Sequence, residues 1–133
     1  MAVLVSFHGN EESVMALKVG LRCCELAGVS LEVLVAARKD FADPKTESDA
    51  LEVLWNELEH VKVPFRVSNA PVGVSVAESV LDYAKENEIK LIVLGLRQGG
   101  SRVADLGVNA SRIMLDAPCP VLTTTQYGLP EFL

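Results

Sequence analysis

Apolar positions along this chain fall into short solid runs and stretches of three-four spacing, in strict alternation. Ala2 to Phe7 (AVLVSF) is a Val-rich run closed by Gly9-Asn10, which predicts a buried strand. Asn10 can cap the helix that follows, where Val14, Leu17, Leu21 and Cys24 share one face and Gly28 stops the element. Leu31 to Ala37 (LEVLVAA) predicts a second strand, and Arg38 to Thr46, containing Pro44, a surface loop. Leu51, Leu54, Leu58 and Val61 mark a second helical stripe. Val63 to Val67 predicts a third strand, with Pro64 suited to a sheet edge. Ser75-x-x-Glu78 is a capping box opening a helix through Ala77, Val80, Leu81 and Ala84 that ends near Asn87. Leu91 to Leu94 (LIVL) is apolar on both faces and belongs at the sheet centre beside the first strand. Ala110, Ile113, Met114 and Ala117 define a last helix ended by Pro118 and Pro120, and Val121 to Thr125 a β-branched final strand.

The order β-α-β-α-β-α-β-α-β predicts an α/β fold: an open, doubly wound, five-stranded parallel sheet of Rossmann-like type. Residues 1–133 read as one domain, with an aperiodic tail over 126–133. A chain of this size buries about two-thirds of its unfolded surface, so its core needs no metal or disulfide. With 50% apolar and 23% charged residues the chain is not disordered. No apolar run approaches a membrane span, and Met1 to Ser6 carries no secretory signal pattern. The net charge of -6 speaks against a nucleic-acid or anionic-membrane surface. Three cysteines, two of them adjacent at Cys23-Cys24, fit no disulfide framework, and neither His8 nor His60 stands at metal-ligand spacing from them. A reducing cytoplasm is the expected compartment, and Cys23-Cys24 is expected to face the core.

Ligands of open parallel sheets bind outside the carboxyl ends of the strands where the strand order reverses. The candidate loops are therefore those after the first strand (Phe7 to Asn10) and the fourth (Gly95 to Gly107). The second reads GLRQGGSRVADLG, with glycines at 95, 99, 100 and 107 and arginines at 97 and 102. Glycines let backbone N–H groups approach an anion, and the helix starting near Gly107-Val108-Asn109 aims its free N–H groups at the same place. No GxGxxG follows the first strand and no Walker lysine is present, so neither a dinucleotide site nor a P-loop is indicated. Ser101 and Ser111 lack a triad at recognisable spacing, so no catalysis is expected.

The stretch LIVLGLRQGGSRVADLGVNASRIMLDAPCPVLTT resembles the C-terminal signature of the universal stress proteins, and VLVSFHGNEES resembles their first strand and turn. The helix ending YAKENEIKLIVLG fits between them, so the resemblance covers Ala2 to Thr125. It implies strand order 3-2-1-4-5, a homodimer through the last strand (Val121, Leu122, Thr123) and a role in stress survival. The nucleotide-binding branch of that family carries Gly-x2-Gly-x9-Gly-Ser/Thr in this loop, which implies ATP or AMP as ligand. Here Gly95 and Gly107 match its ends. Gln98 stands at the second glycine, with Gly99 one residue on, and Val108 replaces the hydroxyl residue. The family's aspartate near the ribose corresponds to His8, and its adenine-lining position to Ala36. The candidate ligand residues, for a nucleotide or a simple anion, are therefore His8, Gly9, Asn10, Ala36, Gly95, Arg97, Gly99, Gly100, Arg102, Gly107, Val108 and Asn109, with Asn109 also able to cap its own helix.

Each of these has a plainer role. His8 reads as a polar strand-end residue bonded to a nearby loop, against a ligand contact or pH-sensitive group. Arg97 and Arg102 are either phosphate clamps or solvated loop residues. Trp55 reads as a half-buried packing residue beside Leu54 and Leu58 rather than a base-stacking ring. Glu11-Glu12 complements the helix dipole. The expected function is a dimeric stress-response module that binds a small ligand or protein partner and has a degraded nucleotide pocket. The alternative is an ATP- or AMP-binding regulator. A nucleotide-hydrolysing enzyme ranks last, because Asp105 is the one acidic residue in the loop.

Overall fold

The computed structural model describes residues 1–97 and 107–133. The strands are β1 (Ala2–Phe7), β2 (Ser30–Val35), β3 (Phe65–Asn69), β4 (Ile89–Gly95) and β5 (Val121–Thr124), and the helices α1 (Glu11–Ala27), α2 (Pro44–Leu58), α3 (Val76–Glu86) and α4 (Val108–Asp116). The strands form one sheet in the order β3-β2-β1-β4-β5, and every pairing is parallel. Strand alternation splits the core in two. Val3, Val5 and Phe7 face α1 and α2 with Leu17, Leu54 and Leu58, while Ala2 and Leu4 face α3 and α4 with Val80 and Ile113. β1 is buried throughout and lies at the centre, and β4 lies beside it, as expected.

The caps follow the chain's local chemistry. Asn10 Oδ1 accepts the Ser13 N–H at 3.0 Å, Gly28 adopts φ 69° at the C-cap of α1, and Ser75 Oγ accepts the Glu78 N–H at 3.1 Å. Part of the expected loop 38–46 is ordered structure. A 3₁₀ turn covers Arg38–Asp40, and Asp43 caps α2 by accepting the Thr46 N–H at 2.7 Å, with Pro44 in the first turn. Asp43-Pro44 was thus a helix start inside the segment expected to be loop. α2 ends at Leu58, so Val61 lies outside it, and its N–H reaches back to Leu58 O. The third strand is displaced to Phe65–Asn69, because the Pro64 carbonyl first accepts the Leu31 N–H and only then does the register with β2 begin. Ala117 is the C-cap of α4 rather than part of it.

The tail after β5 turns back over α1. Leu129 packs against the core cluster that α1 shares with β1 and α2, Gly128 passes close over Met15, and Arg22 Nε donates to the Leu133 carbonyl at 2.8 Å. Cys24 faces the core, where burial pushes its thiol pKa up to about 11, and Cys23 is half-buried. Among the described residues no helix is long and apolar enough to cross a membrane.

Candidate functional site

The chain leaves β1 toward β2 on one side and later returns to β4 on the other, so the strand order reverses between β1 and β4. A crevice of about 360 Å³ opens there, between the β1–α1 turn and the start of α4. It brings together seven of the expected residues: His8, Asn10, Gly95, Arg97, Gly107, Val108 and Asn109. Leu94 and Ile113 add apolar wall.

On the β1 side, Ser13 organises the turn. Its Oγ accepts the N–H groups of His8 at 3.2 Å and Gly9 at 3.0 Å and donates to the Asn10 carbonyl at 3.1 Å. Ser13 was missed in the sequence; its one signal is a small polar residue three positions after the cap Asn10. Gly9 holds φ 84°, and a Cβ there would overlap Ala50 of α2. Gly9 lines a neighbouring cavity of about 270 Å³ with Thr46, Asp49 and Ala50, not the crevice itself. Ala36 is buried, gives its N–H to the Phe7 carbonyl at 3.0 Å, and lines neither cavity.

His8 is half-buried, with Nε2 at 3.2 Å from the Ser6 hydroxyl of its own strand. The bond is to a neighbour on its own strand rather than to a nearby loop, and His8 also lines the crevice. Burial lowers its pKa below 6.5 and the charge of Asp40 only partly opposes this, so the imidazole is neutral at neutral pH. Because the folded value lies below the unfolded one, His8 contributes stability above pH 6.5 that is lost as pH falls through that value toward the folded pKa. Urea unfolding should therefore show a smaller loss of stability from about pH 7 to about pH 5 in His8→Gln than in the wild type. An equal loss in both would contradict this.

On the β4 side, Gly95 is a packing glycine: a Cβ on it would overlap the backbone of Glu12 at the start of α1. Gly107, the N-cap of α4, has φ 88° and ψ 154°, a conformation essentially restricted to glycine. Among the described residues no side chain caps α4. The first helical bond is Ser111 N–H to Gly107 O, so the N–H groups of Val108, Asn109 and Ala110 have no acceptor within the helix. Asn109 does not cap its own helix, since its Oδ1 accepts the Ala77 N–H at 3.1 Å and thereby closes the start of α3. Val108 is 84% exposed and brings no hydroxyl. Arg97 is exposed on the crevice wall. Gly99, Gly100 and Arg102 lie outside the described residues. The arrangement offers backbone donors that have no acceptor among the described residues, a guanidinium and a neutral imidazole, which is chemistry for holding an anion.

The model of the universal stress protein family matches residues 1–124. Solved structures similar to the chain include a universal stress family protein from Burkholderia pseudomallei (23% identity, TM-score 0.68, 92% of this chain and 94% of that one). A universal stress protein from Archaeoglobus fulgidus aligns with TM-score 0.72 at 19% identity over 92% of each chain. The Archaeoglobus fulgidus protein in complex with dAMP aligns with TM-score 0.69 at 18% identity, over 92% of this chain and 96% of that one. No curated protein sequence matches the chain.

Proposed function

Because the chain belongs to the universal stress protein family, we propose that it is a cytoplasmic, non-catalytic, two-fold dimeric module of the stress response that holds a compact anion and binds adenine nucleotides weakly. The carrying observation is the crevice between β1 and β4. Its backbone donors at Val108 to Ala110 have no acceptor among the described residues, but the position after Gly107 is an apolar Val108 and the end of β1 is a neutral His8. Ser111, at the start of α4, donates its hydroxyl to the Gly107 carbonyl at 2.9 Å, a helix-end bond that occupies it. The free thiols of Cys23, Cys24 and Cys119 suit a reducing compartment.

The second reading, an adenine-nucleotide-binding regulator, is favoured by one observation. Similar structures include complexes with AMP, cAMP and dAMP. Calorimetric titration with ATP, ADP and AMP separates the two. A hydrogen bond to a charged group contributes about 1.5–3 kcal/mol. Restoring a hydroxyl with Val108→Ser, combined with His8→Asp near the ribose, is therefore expected to raise ATP affinity roughly tenfold or more. Gly107→Val should abolish phosphate binding, because valine cannot hold the φ of 88° that aims the α4 donors. Tight ATP binding by the wild type, or no gain in the double variant, would overturn the weak-nucleotide reading.

The dimer is proposed through β5, which pairs only with β4 among the described residues and leaves an open edge. Thr123 is exposed on that strand, whereas Val121 is half-buried against the α3–α4 core. Thr123→Lys is thus the cleaner probe. It should shift sedimentation from dimer toward monomer at micromolar concentration while the melting temperature stays near wild type. A monomeric wild type would sink the proposal.

A further inference from the structure

The opposite edge of the sheet carries an arrangement that the crevice and the β5 edge do not explain. Trp55, the chain's single tryptophan, is half-buried as expected and keeps 50% of its surface exposed. Its partner is Phe65, the first residue of β3, itself 38% exposed, with ring centroids 6.2 Å apart and planes at 57°. The two rings form an open corner on the α2 side of the sheet.

Two carboxylates flank that corner. Glu52 and Glu59 stand three positions before and four after Trp55, on the same face of α2, and Glu59 continues the helical geometry at φ -55°, ψ -39°. Both are exposed. Among the described residues Glu52 has no ion-pair partner, and Glu59 has its neighbour His60 at 3.9 Å.

The strand beneath is unguarded. Among the described residues β3 pairs only with β2. The Ala70 N–H and the Pro64 carbonyl both bond β2, so by strand alternation Phe65, Val67 and Asn69 turn their N–H and C=O groups outward. Edge strands are commonly protected by a free lysine or an in-strand proline. Here Pro64 precedes the strand, and its one cation, Arg66, is tied on the α3 side to Glu32 at 2.7 Å.

We propose that the β3 edge and the Trp55–Phe65 corner form a docking site for an extended, lysine- or arginine-bearing segment of a partner protein. Outward main-chain groups pair with an extended backbone, and alternate side chains of the added strand fall on the α2 side. There aromatic faces and paired carboxylates favour a cation. The net charge of -6 draws a basic segment in. The site lies on the edge remote from β5 and is independent of the nucleotide and dimer readings.

Trp55 supplies its own readout. The probe is a capped peptide of alternating lysine and threonine, about eight residues long, within the usual range of strand lengths. It should change Trp55 emission saturably, with an effect that weakens as salt is added. Glu52→Lys combined with Glu59→Lys should weaken binding roughly tenfold, while Asp116→Lys at the end of α4, on the other side of the sheet, leaves it unchanged. The same peptide N-methylated at alternate amides keeps its charge but loses its donors, and should also bind roughly tenfold more weakly. The alternating glutamate–threonine peptide should give no signal. Circular dichroism confirms that each variant is folded. Absence of a saturable signal from the lysine peptide overturns the site. So does equal binding by the N-methylated peptide or by the double charge reversal.

Discussion

Replacing Gly95 with valine should cost about 3 kcal/mol, the upper range for overpacking a core. That corresponds to a melting temperature roughly 10 °C lower for a domain of this size. A Cβ at Gly95 would meet the Glu12 carbonyl group, and backbone at the start of a capped helix cannot swing aside as a flexible side chain can. The strain must be relieved by lifting the start of α1, which carries the β1–α1 turn and so one wall of the crevice. Gly107→Ala is the informative contrast. A Cβ there meets nothing within 4 Å, but φ 88° with ψ 154° strains any other residue. Its effect should be about 1–3 kcal/mol and arise from backbone strain alone. Thermal melts followed by circular dichroism compare the two. A Gly95→Val protein melting within about two degrees of wild type would show that α1 is not seated as described.

Tyr83→Phe should destabilise the chain by about 1.5 kcal/mol, the low end for a hydrogen bond to a charged group, since the phenol is partly reached by solvent. Glu32 is 7% exposed in the middle of β2, and its Oε1 accepts from Tyr83 Oη at 2.5 Å and from Arg66 Nη2 at 2.7 Å. Removing the hydroxyl withdraws one donor from a buried carboxylate. Burial and the bond to Glu32 hold the Tyr83 pKa above 10, with Ser68 opposing. Stability from that bond is therefore present below pH 10 and declines as pH rises through the folded value. Denaturant unfolding should show this alkaline loss in the wild type and not in Tyr83→Phe. Identical alkaline profiles would remove Tyr83 from the network.

Gly95 and Gly107 stand out in the sequence as ends of one glycine pattern, yet they act through different physics. One provides space against α1 and the other a backbone angle. His8, Arg97 and Val108 were located because they flank strand and helix ends that periodicity places. Ala36 was assigned to the site by family correspondence, and the packing at the end of β1 keeps it off the crevice wall. Ser13 carried almost no signal, because a buried serine that accepts two backbone donors looks in sequence like any helix-surface serine.

The type and order of the elements were determined by the sequence alone, because they rest on interactions between near neighbours. Apolar residues three and four apart define a helical face, Asn10 and Ser75 reach N–H groups three residues on, and Gly28 needs only its own left-handed φ. Tertiary structure alone decided where polar side chains found their partners. Asn109 bonds a backbone group 32 positions away, Glu32 meets Arg66 34 positions away and Tyr83 51 positions away, and Trp55 meets Phe65 at the head of an edge strand. Local sequence limits such side chains to a menu of acceptors and donors. The sheet register and the seating of α3 and α4 select which are close enough to bond, and buried polar groups take the partner the fold delivers.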